Sequence, residues 1–132
     1  IHSMVSVLLQ QMSGSNVISD TENLQAARIA VIGLGYVGLP LAAEFGKHRS
    51  VVGFDINERR ISELKRGFDA TLEVSEQELS AASSLVFTRD VADIIDIDIY
   101  IITVPTPVDD EKKPDLAPLI GATEIVGSVL SE

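Results

Sequence analysis

Three glycines and one aspartate carry most of the chemistry that this sequence offers. Gly33-Leu34-Gly35-Tyr36-Val37-Gly38 follows the pattern G-x-G-x-x-G directly after the apolar run Ile29-Ala30-Val31-Ile32. Each glycine has its own task. Gly33 permits a sharp turn off a strand, Gly35 removes the Cβ that would collide with an approaching diphosphate, and Gly38 lets the next helix pack closely on the strand. The N–H groups of the first helical turn, with the positive end of the helix dipole, then face an anion. Glycines at this spacing also occur in turns that bind nothing, and the context separates the two readings. A second apolar run, Val51-Val52-Gly53-Phe54, ends in Asp55, 22 positions after Gly33. That is close to the ~20 expected for an acid that accepts hydrogen bonds from an adenosine ribose. Such a carboxylate repels a 2′-phosphate, so the expected ligand is NAD and not NADP. The plainer reading of Asp55 is a strand-end residue that caps the next helix. Arg59 and Arg60 bear on the same choice, because an arginine here can accept a 2′-phosphate. With Asp55 present, Arg60 is expected beside the adenosine and Arg59 as a solvated helix charge.

The elements that must position these groups are legible from periodicity. Arg28–Gly33 is a buried strand pattern, and Leu34 to about Gly46 a helix with Val37, Leu41 and Phe45 on one face. Pro40 falls in or just beyond its first turn, where a missing N–H costs little, and Gly46 is placed as a C-cap. Val51–Asp55 is a second strand. Asn57 caps a helix from Glu58 to about Arg66, stopped by Gly67. Ser75-Glu76-Gln77-Glu78 opens a short helix through about Ala82 as a capping box. Leu85–Thr88 is a third strand and Asp90–Asp93 a helical turn. Ile97–Val104 is the most apolar strand, stopped by Pro105-Thr106-Pro107, and a final helix starts at Asp115 or Leu116. Strands alternating with helices predict an α/β fold: a Rossmann-type, doubly wound, mainly parallel sheet in the order 3-2-1-4. A complete fold of this kind continues into a further parallel strand, so a truncated domain is expected. The apolar edge this would leave predicts self-association, that is, a homo-oligomer.

Residues 1–27 read differently from 28–132, and the chain divides there into an N-terminal segment and a nucleotide-binding domain. Val5, Leu8, Leu9 and Met12 fall on one helical face, and Ser13-Gly14-Ser15-Asn16 breaks the pattern. A short amphipathic helix and a linker, partly foreign to the domain, are expected. No basic stretch precedes Val5–Leu9, which argues against a secretion signal.

Composition narrows the function. The 132 residues suit one domain. Ten Lys and Arg against twenty Asp and Glu give a net charge of −10, which disfavours nucleic acid and anionic membranes as partners. Hydrophobic residues make up 45% and mean hydropathy is +0.26, against disorder. No apolar run approaches the ~18 residues of a membrane span, and a cytoplasmic protein is expected. With no cysteine, disulfides, thiolate metal sites and a cysteine nucleophile are excluded from this chain. His2 and His48 lack partners at metal spacing, and Asp90, Asp93, Asp96 and Asp98 are read as solvated caps, so no metal site is expected.

Ile29 to Pro40, with its Tyr36-Val37-Gly38-Leu39-Pro40 continuation, resembles the UDP-glucose/GDP-mannose dehydrogenase family. Val104-Pro105-Thr106-Pro107 and Pro114-Asp115-Leu116 agree, and Asp69-Ala70-Thr71-Leu72-Glu73-Val74 looks like the subgroup acting on UDP-N-acetylhexosamines in polysaccharide synthesis. The resemblance covers about residues 28–132. It implies an NAD domain of an enzyme that oxidises C6 of a nucleotide sugar to a carboxylate with two NAD⁺. It also implies diphosphate contacts at Gly33, Leu34, Gly35, Tyr36, Val37 and Gly38, a ribose acid at Asp55, an adenosine-side arginine at Arg60 and a nicotinamide-side threonine at Thr106. That family's second oxidation passes through a catalytic cysteine, which this chain lacks. The polypeptide alone is therefore expected to bind NAD without turnover, to meet a UDP-sugar only in a longer enzyme, and to contain no catalytic residue. Two other classes share the glycine turn: a regulatory nucleotide-binding module such as a channel's gating domain, and the NAD domain of another dehydrogenase. The Tyr36–Pro40 and Pro105-Thr106-Pro107 blocks favour the first reading over both.

Overall fold

In the computed structural model the described residues are 3–9 (backbone), 27–105, 110–111, 113 and 115–130. The four apolar runs pair as parallel strands. β2 (Ile29–Ile32) lies between β3 (Val51–Phe54) and β5 (Ile99–Pro105), and β4 (Leu85–Thr88) flanks β3 on its far side. Ile29 stands opposite both Val51 and Ile99, and Ile32 opposite Phe54 and Ile102. This is the expected 3-2-1-4 order, now carried by β4, β3, β2 and β5.

Both faces of the sheet are covered, which is why its inner strands are apolar without alternation. Ile29, Val31, Val51, Ile99 and Ile101 face one core under α1 (Gly38–Gly46), α2 (Glu58–Lys65) and α3 (Glu76–Ala81), where they meet Leu39, Ala43, Ile61, Leu64 and Leu79. The alternate residues Ala30, Ile32, Tyr100, Ile102 and Val104, together with Phe54, face the other core. There they meet Ile94 of the 3-10 turn Val91–Ile94 and Ala122 and Val126 of α4 (Ala117–Val129). The buried Tyr100 hydroxyl donates to the Ile94 carbonyl, which fixes that turn against the sheet.

The caps follow the sequence. Asn57 Oδ1 accepts the Arg60 N–H at 3.1 Å, Ser75 Oγ accepts the Glu78 N–H at 3.1 Å, and Gly67 ends the α2 region at φ +81°. Asp90 caps the 3-10 turn, whereas Asp98 accepts the Arg28 N–H just before β2, a tie between distant segments and not the local cap expected. Gly46 corrects the C-cap expectation. It lies inside α1, Lys47 takes the cap position with right-handed geometry, and a Cβ on Gly46 would stand 2.7 Å from Leu85 Cβ. Close packing of helix on strand, and not a left-handed turn, demands glycine there.

The N-terminal segment corrects two expectations. Residues Ser3–Leu9 form β1, antiparallel to β5 from Ser3 opposite Pro105 to Leu9 opposite Ile99. The helix expected from Val5 to Met12 is therefore a strand over its described part. A short apolar run fits either period, and the backbone partners offered along β5 decide for the extended form. The same pairing occupies the β5 edge that was expected to be open, so the edge argument for self-association loses its basis. The linker residues that follow, 10–26, lie outside the described residues. Among the described residues no helix is long and apolar enough to cross a membrane, and no group of three or more His, Asp or Glu could hold a metal.

Candidate functional site

The carboxyl ends of β2, β3 and β5 meet at the glycine turn, where sheets of this kind form a crevice. Gly33 sits at φ +99°, and a Cβ on it would lie 2.2 Å from the Thr103 carbonyl oxygen. A Cβ on Gly38 would lie 1.8 Å from the Gly33 carbonyl oxygen and 2.2 Å from Thr103 Oγ1. Neither position tolerates a side chain, because the obstacle is backbone. Gly33 N–H donates to the Phe54 carbonyl at 2.8 Å and Thr103 Oγ1 donates to the Gly33 carbonyl at 2.7 Å, so the turn is tied to both neighbouring strands.

Gly35 is different. A Cβ there would meet no atom of the protein within 4 Å, and its φ lies outside the left-handed range. The fold does not require glycine at this position, so the open space is for something outside the chain. The N–H groups of Gly35, Tyr36 and Val37 precede α1, whose N-cap Val37 supplies no side-chain bond. Among the described residues none of the three has an acceptor. Tyr36 and Val37 expose their side chains, whereas Leu34 is fully buried against Gly53 and presents only its backbone.

Asp55 lies one position past β3. Its Oδ2 accepts the Leu34 N–H and its Oδ1 accepts the Asn57 N–H, each at 2.9 Å. The carboxylate is anchored to the turn, while Asn57 is the cap of α2. Arg60 is buried in the first turn of α2. Its Nε donates to the Leu34 carbonyl at 2.8 Å, and its Nη1 donates to Asp69 Oδ1 at 2.7 Å and Glu63 Oε2 at 3.2 Å. Its Nη2 is buried without a partner.

Asp69 is the polar centre behind this arginine. Its side chain is fully buried and accepts from the N–H groups of Thr71, Glu73 and Val74, from the Thr71 hydroxyl and from Arg60. Burial pushes its carboxyl up, but the hydrogen bonds from Thr71, Arg60 and Val74 outweigh it and hold the group at about 2, against an ordinary 3.8. The loop it organises carries Leu72 at φ +58°.

Gly33, Gly35, Asp55, Arg60 and Thr103 all line one cavity of about 540 Å³, closed on its far side by Pro118, Gly121 and Ile125 of α4. Leu34 lines it too, whereas Tyr36, Val37 and Gly38 lie outside its wall. Thr106, one residue past β5, lies outside the described residues. The sequence reading gave no role to Thr103, Glu63 or Asp69. For Asp69 a signal existed, since an aspartate two residues before a threonine is a common start for a turn held by side-chain-to-backbone bonds.

Residues 27–132 match the model of the UDP-glucose/GDP-mannose dehydrogenase family, NAD binding domain. A UDP-N-acetyl-D-glucosamine 6-dehydrogenase of Pseudomonas aeruginosa is 57% identical over 105 residues, which is 80% of this chain and 25% of that protein. A UDP-N-acetyl-D-mannosamine dehydrogenase of Salmonella typhi is 34% identical over 79% of this chain and 25% of its own length. Among solved structures, a UDP-D-ManNAc dehydrogenase from Pyrococcus horikoshii aligns with a TM-score of 0.66 at 34% identity, covering 77% of this chain and 25% of the other. A ternary complex of GDP-mannose dehydrogenase from Pseudomonas aeruginosa gives 0.67 at 27% identity, covering 80% and 26%. The chain thus spans about a quarter of the length of these relatives.

Proposed function

Since the chain belongs to the UDP-glucose/GDP-mannose dehydrogenase family, as its NAD-binding domain, we propose that the cavity at the glycine turn holds the dinucleotide for a UDP-N-acetylhexosamine 6-dehydrogenase of polysaccharide synthesis. The carrying observation is Gly35: a position where an added Cβ meets no protein atom within 4 Å, beside three N–H groups without acceptors among the described residues and on the same cavity as the Asp55 carboxylate. The residues fit the group. Backbone donors at Gly35–Val37 suit a diphosphate, the more so because the site offers them where a net charge of −10 gives no general attraction for anions. Asp55, with each oxygen already accepting one N–H, retains lone pairs for the two ribose hydroxyls. Arg60 borders the adenosine end, and Thr106, on the family pattern, the nicotinamide end.

The cofactor, when bound, supplies a hydride acceptor for the sugar C6. The chain's own part is to bind and orient: Gly33 and Gly38 shape the turn, Leu34 is held from both sides, and Ile125 and Pro118 wall the crevice against water. No catalytic side chain is assigned to these residues. The identity of 57% to a UDP-N-acetyl-D-glucosamine 6-dehydrogenase, against 34% to a mannosamine enzyme, supports UDP-N-acetylglucosamine as the sugar of the whole protein. The Tyr36–Pro40 and Pro105-Thr106-Pro107 blocks, with the family match over residues 27–132, favour this reading over a regulatory module or another dehydrogenase class.

A chimera tests this reading. Residues 28–132 are placed in the Pseudomonas aeruginosa relative in place of its matching quarter. NADH formation that depends on UDP-N-acetyl-D-glucosamine is expected. A folded chimera that binds no NAD⁺ would overturn the proposal.

A further inference from the structure

Arg60 is the one cationic side chain among the described residues lining the cavity, and it shares that wall with Asp55. It faces two carboxylates, not one. Nη1 donates to Asp69 and to Glu63, and Nε to the Leu34 carbonyl. Asp69 is fully buried and Glu63 nearly so, and Glu63 Oε2 also accepts the Ala70 N–H at 2.7 Å. The cluster of Arg60, Glu63 and Asp69 therefore carries a net negative charge, and Asp55 adds another. Nη2 has no partner among the described residues but is itself buried, so bringing the guanidinium to a ligand means turning it, which breaks charge-assisted bonds and strands a buried carboxylate.

We propose that Glu63 and Asp69 are specificity-determining residues for the cofactor. By engaging Arg60 from behind, they withhold the one cationic side chain among the described residues of the cavity wall, so that a ribose 2′-phosphate meets Asp55 without a cation from that wall. Discrimination against NADP⁺ then rests on Asp55, which meets the ribose, and on two carboxylates that hold Arg60 and never touch the ligand. The inference depends on the proposed reading of the cavity as the NAD site.

The test is calorimetric titration of NAD⁺ and NADP⁺ into the wild-type chain, Glu63→Gln, Asp69→Asn, and Glu63→Gln combined with Arg60→Gln. Glu63→Gln keeps an acceptor for the Ala70 N–H and removes only the charge, so it folds even where Asp69→Asn loosens its loop. A gain of about fivefold to tenfold in NADP⁺ affinity is expected for Glu63→Gln, with NAD⁺ within about twofold, as befits one charge acting at short range near the surface. Loss of that gain when Arg60 is also replaced would show that the released arginine is responsible. Equal changes for both cofactors, an unmoved NADP⁺ affinity, or a gain that survives without Arg60 would each overturn the inference. Failure of the wild-type chain to bind NAD⁺ would instead overturn the reading of the site, and this inference with it.

Discussion

Asp55 and Arg60 grip opposite ends of one peptide unit's residue, Leu34: the carboxylate accepts its N–H at 2.9 Å and the guanidinium Nε donates to its carbonyl at 2.8 Å. The side chain between them is fully buried. The residue that separates the first two glycines is thus fixed at three points before any ligand arrives. A turn ordered in advance spares the ligand the entropy of ordering it, which favours affinity without further contacts.

The first consequence concerns cofactor choice. NAD⁺ is expected to raise the melting temperature of the chain more than NADP⁺, and Asp55→Ala to abolish the difference. The substitution also removes the Leu34 and Asn57 bonds, at a cost of about 1–2 kcal/mol in stability. Equal shifts from the two cofactors in the wild-type chain would refute the role given to the carboxylate.

The glycines should separate by mechanism. The Cβ of Gly35→Val meets no protein atom within 4 Å, so its urea midpoint should stay close to wild type while NAD⁺ affinity falls at least about tenfold, since the new side chain fills the ligand's approach. Gly38→Ala places a methyl group 1.8 Å from a backbone oxygen and should destabilise the fold by about 3 kcal/mol or more. Parallel denaturation and binding titrations on both variants check this contrast. A Gly35→Val chain that binds normally would remove the diphosphate from that position.

Acid stability should report Asp69. Its carboxyl titrates at about 2 in the fold and near 3.8 when unfolded. A lowered folded value means that the unfolded chain takes up protons first as pH falls. The contribution is fully present above pH 4 and is lost as pH falls toward 2, amounting to about 2 kcal/mol. Urea midpoints measured between pH 5 and pH 2 should therefore fall more steeply for the wild-type chain than for Asp69→Asn. Matching slopes would show that this buried carboxylate is not the group that titrates.

Removing residues 1–9 should expose the outer edge of β5, whose register with β1 runs from Ser3–Pro105 to Leu9–Ile99. A bare, apolar strand edge invites pairing with another copy. Light scattering should show association that rises with concentration for the shortened chain and not for the full one. A shortened chain that stays monomeric would mean that β1 does not protect this edge.

What sequence alone could convey follows from where the signal resides. The four parallel strands and their order were legible because each is a short apolar run, three of them stopped by Gly33, Asp55 and Pro105, and alternation with helices leaves few topologies. The tasks of Gly33 and Gly38 were legible because backbone contact allows no alternative residue. Residues 3–9 were not, because seven residues fit a helix and a strand equally and their partner lies at the far end of the chain. Gly46 misled because a glycine after a helix pattern signals a cap far more often than a contact with Leu85. The Arg60–Glu63–Asp69 cluster stayed hidden because the sequence reading sets Arg60 beside the adenosine, and the loop that folds Asp69 back onto it leaves no periodic signal.

The pairing of β1 with β5 sets an order of events during synthesis. Residues 3–9 leave the ribosome before β2, β3 and β4, and their partner β5 follows all three, so among the described strands β1 must wait unpaired while those three find one another. Closing so long a stretch of chain is slow compared with the local turns and helices. Among the described strands β1 is thereby the last to join the sheet, and until it does, a nascent chain is most exposed to pairing with its neighbours on the same message.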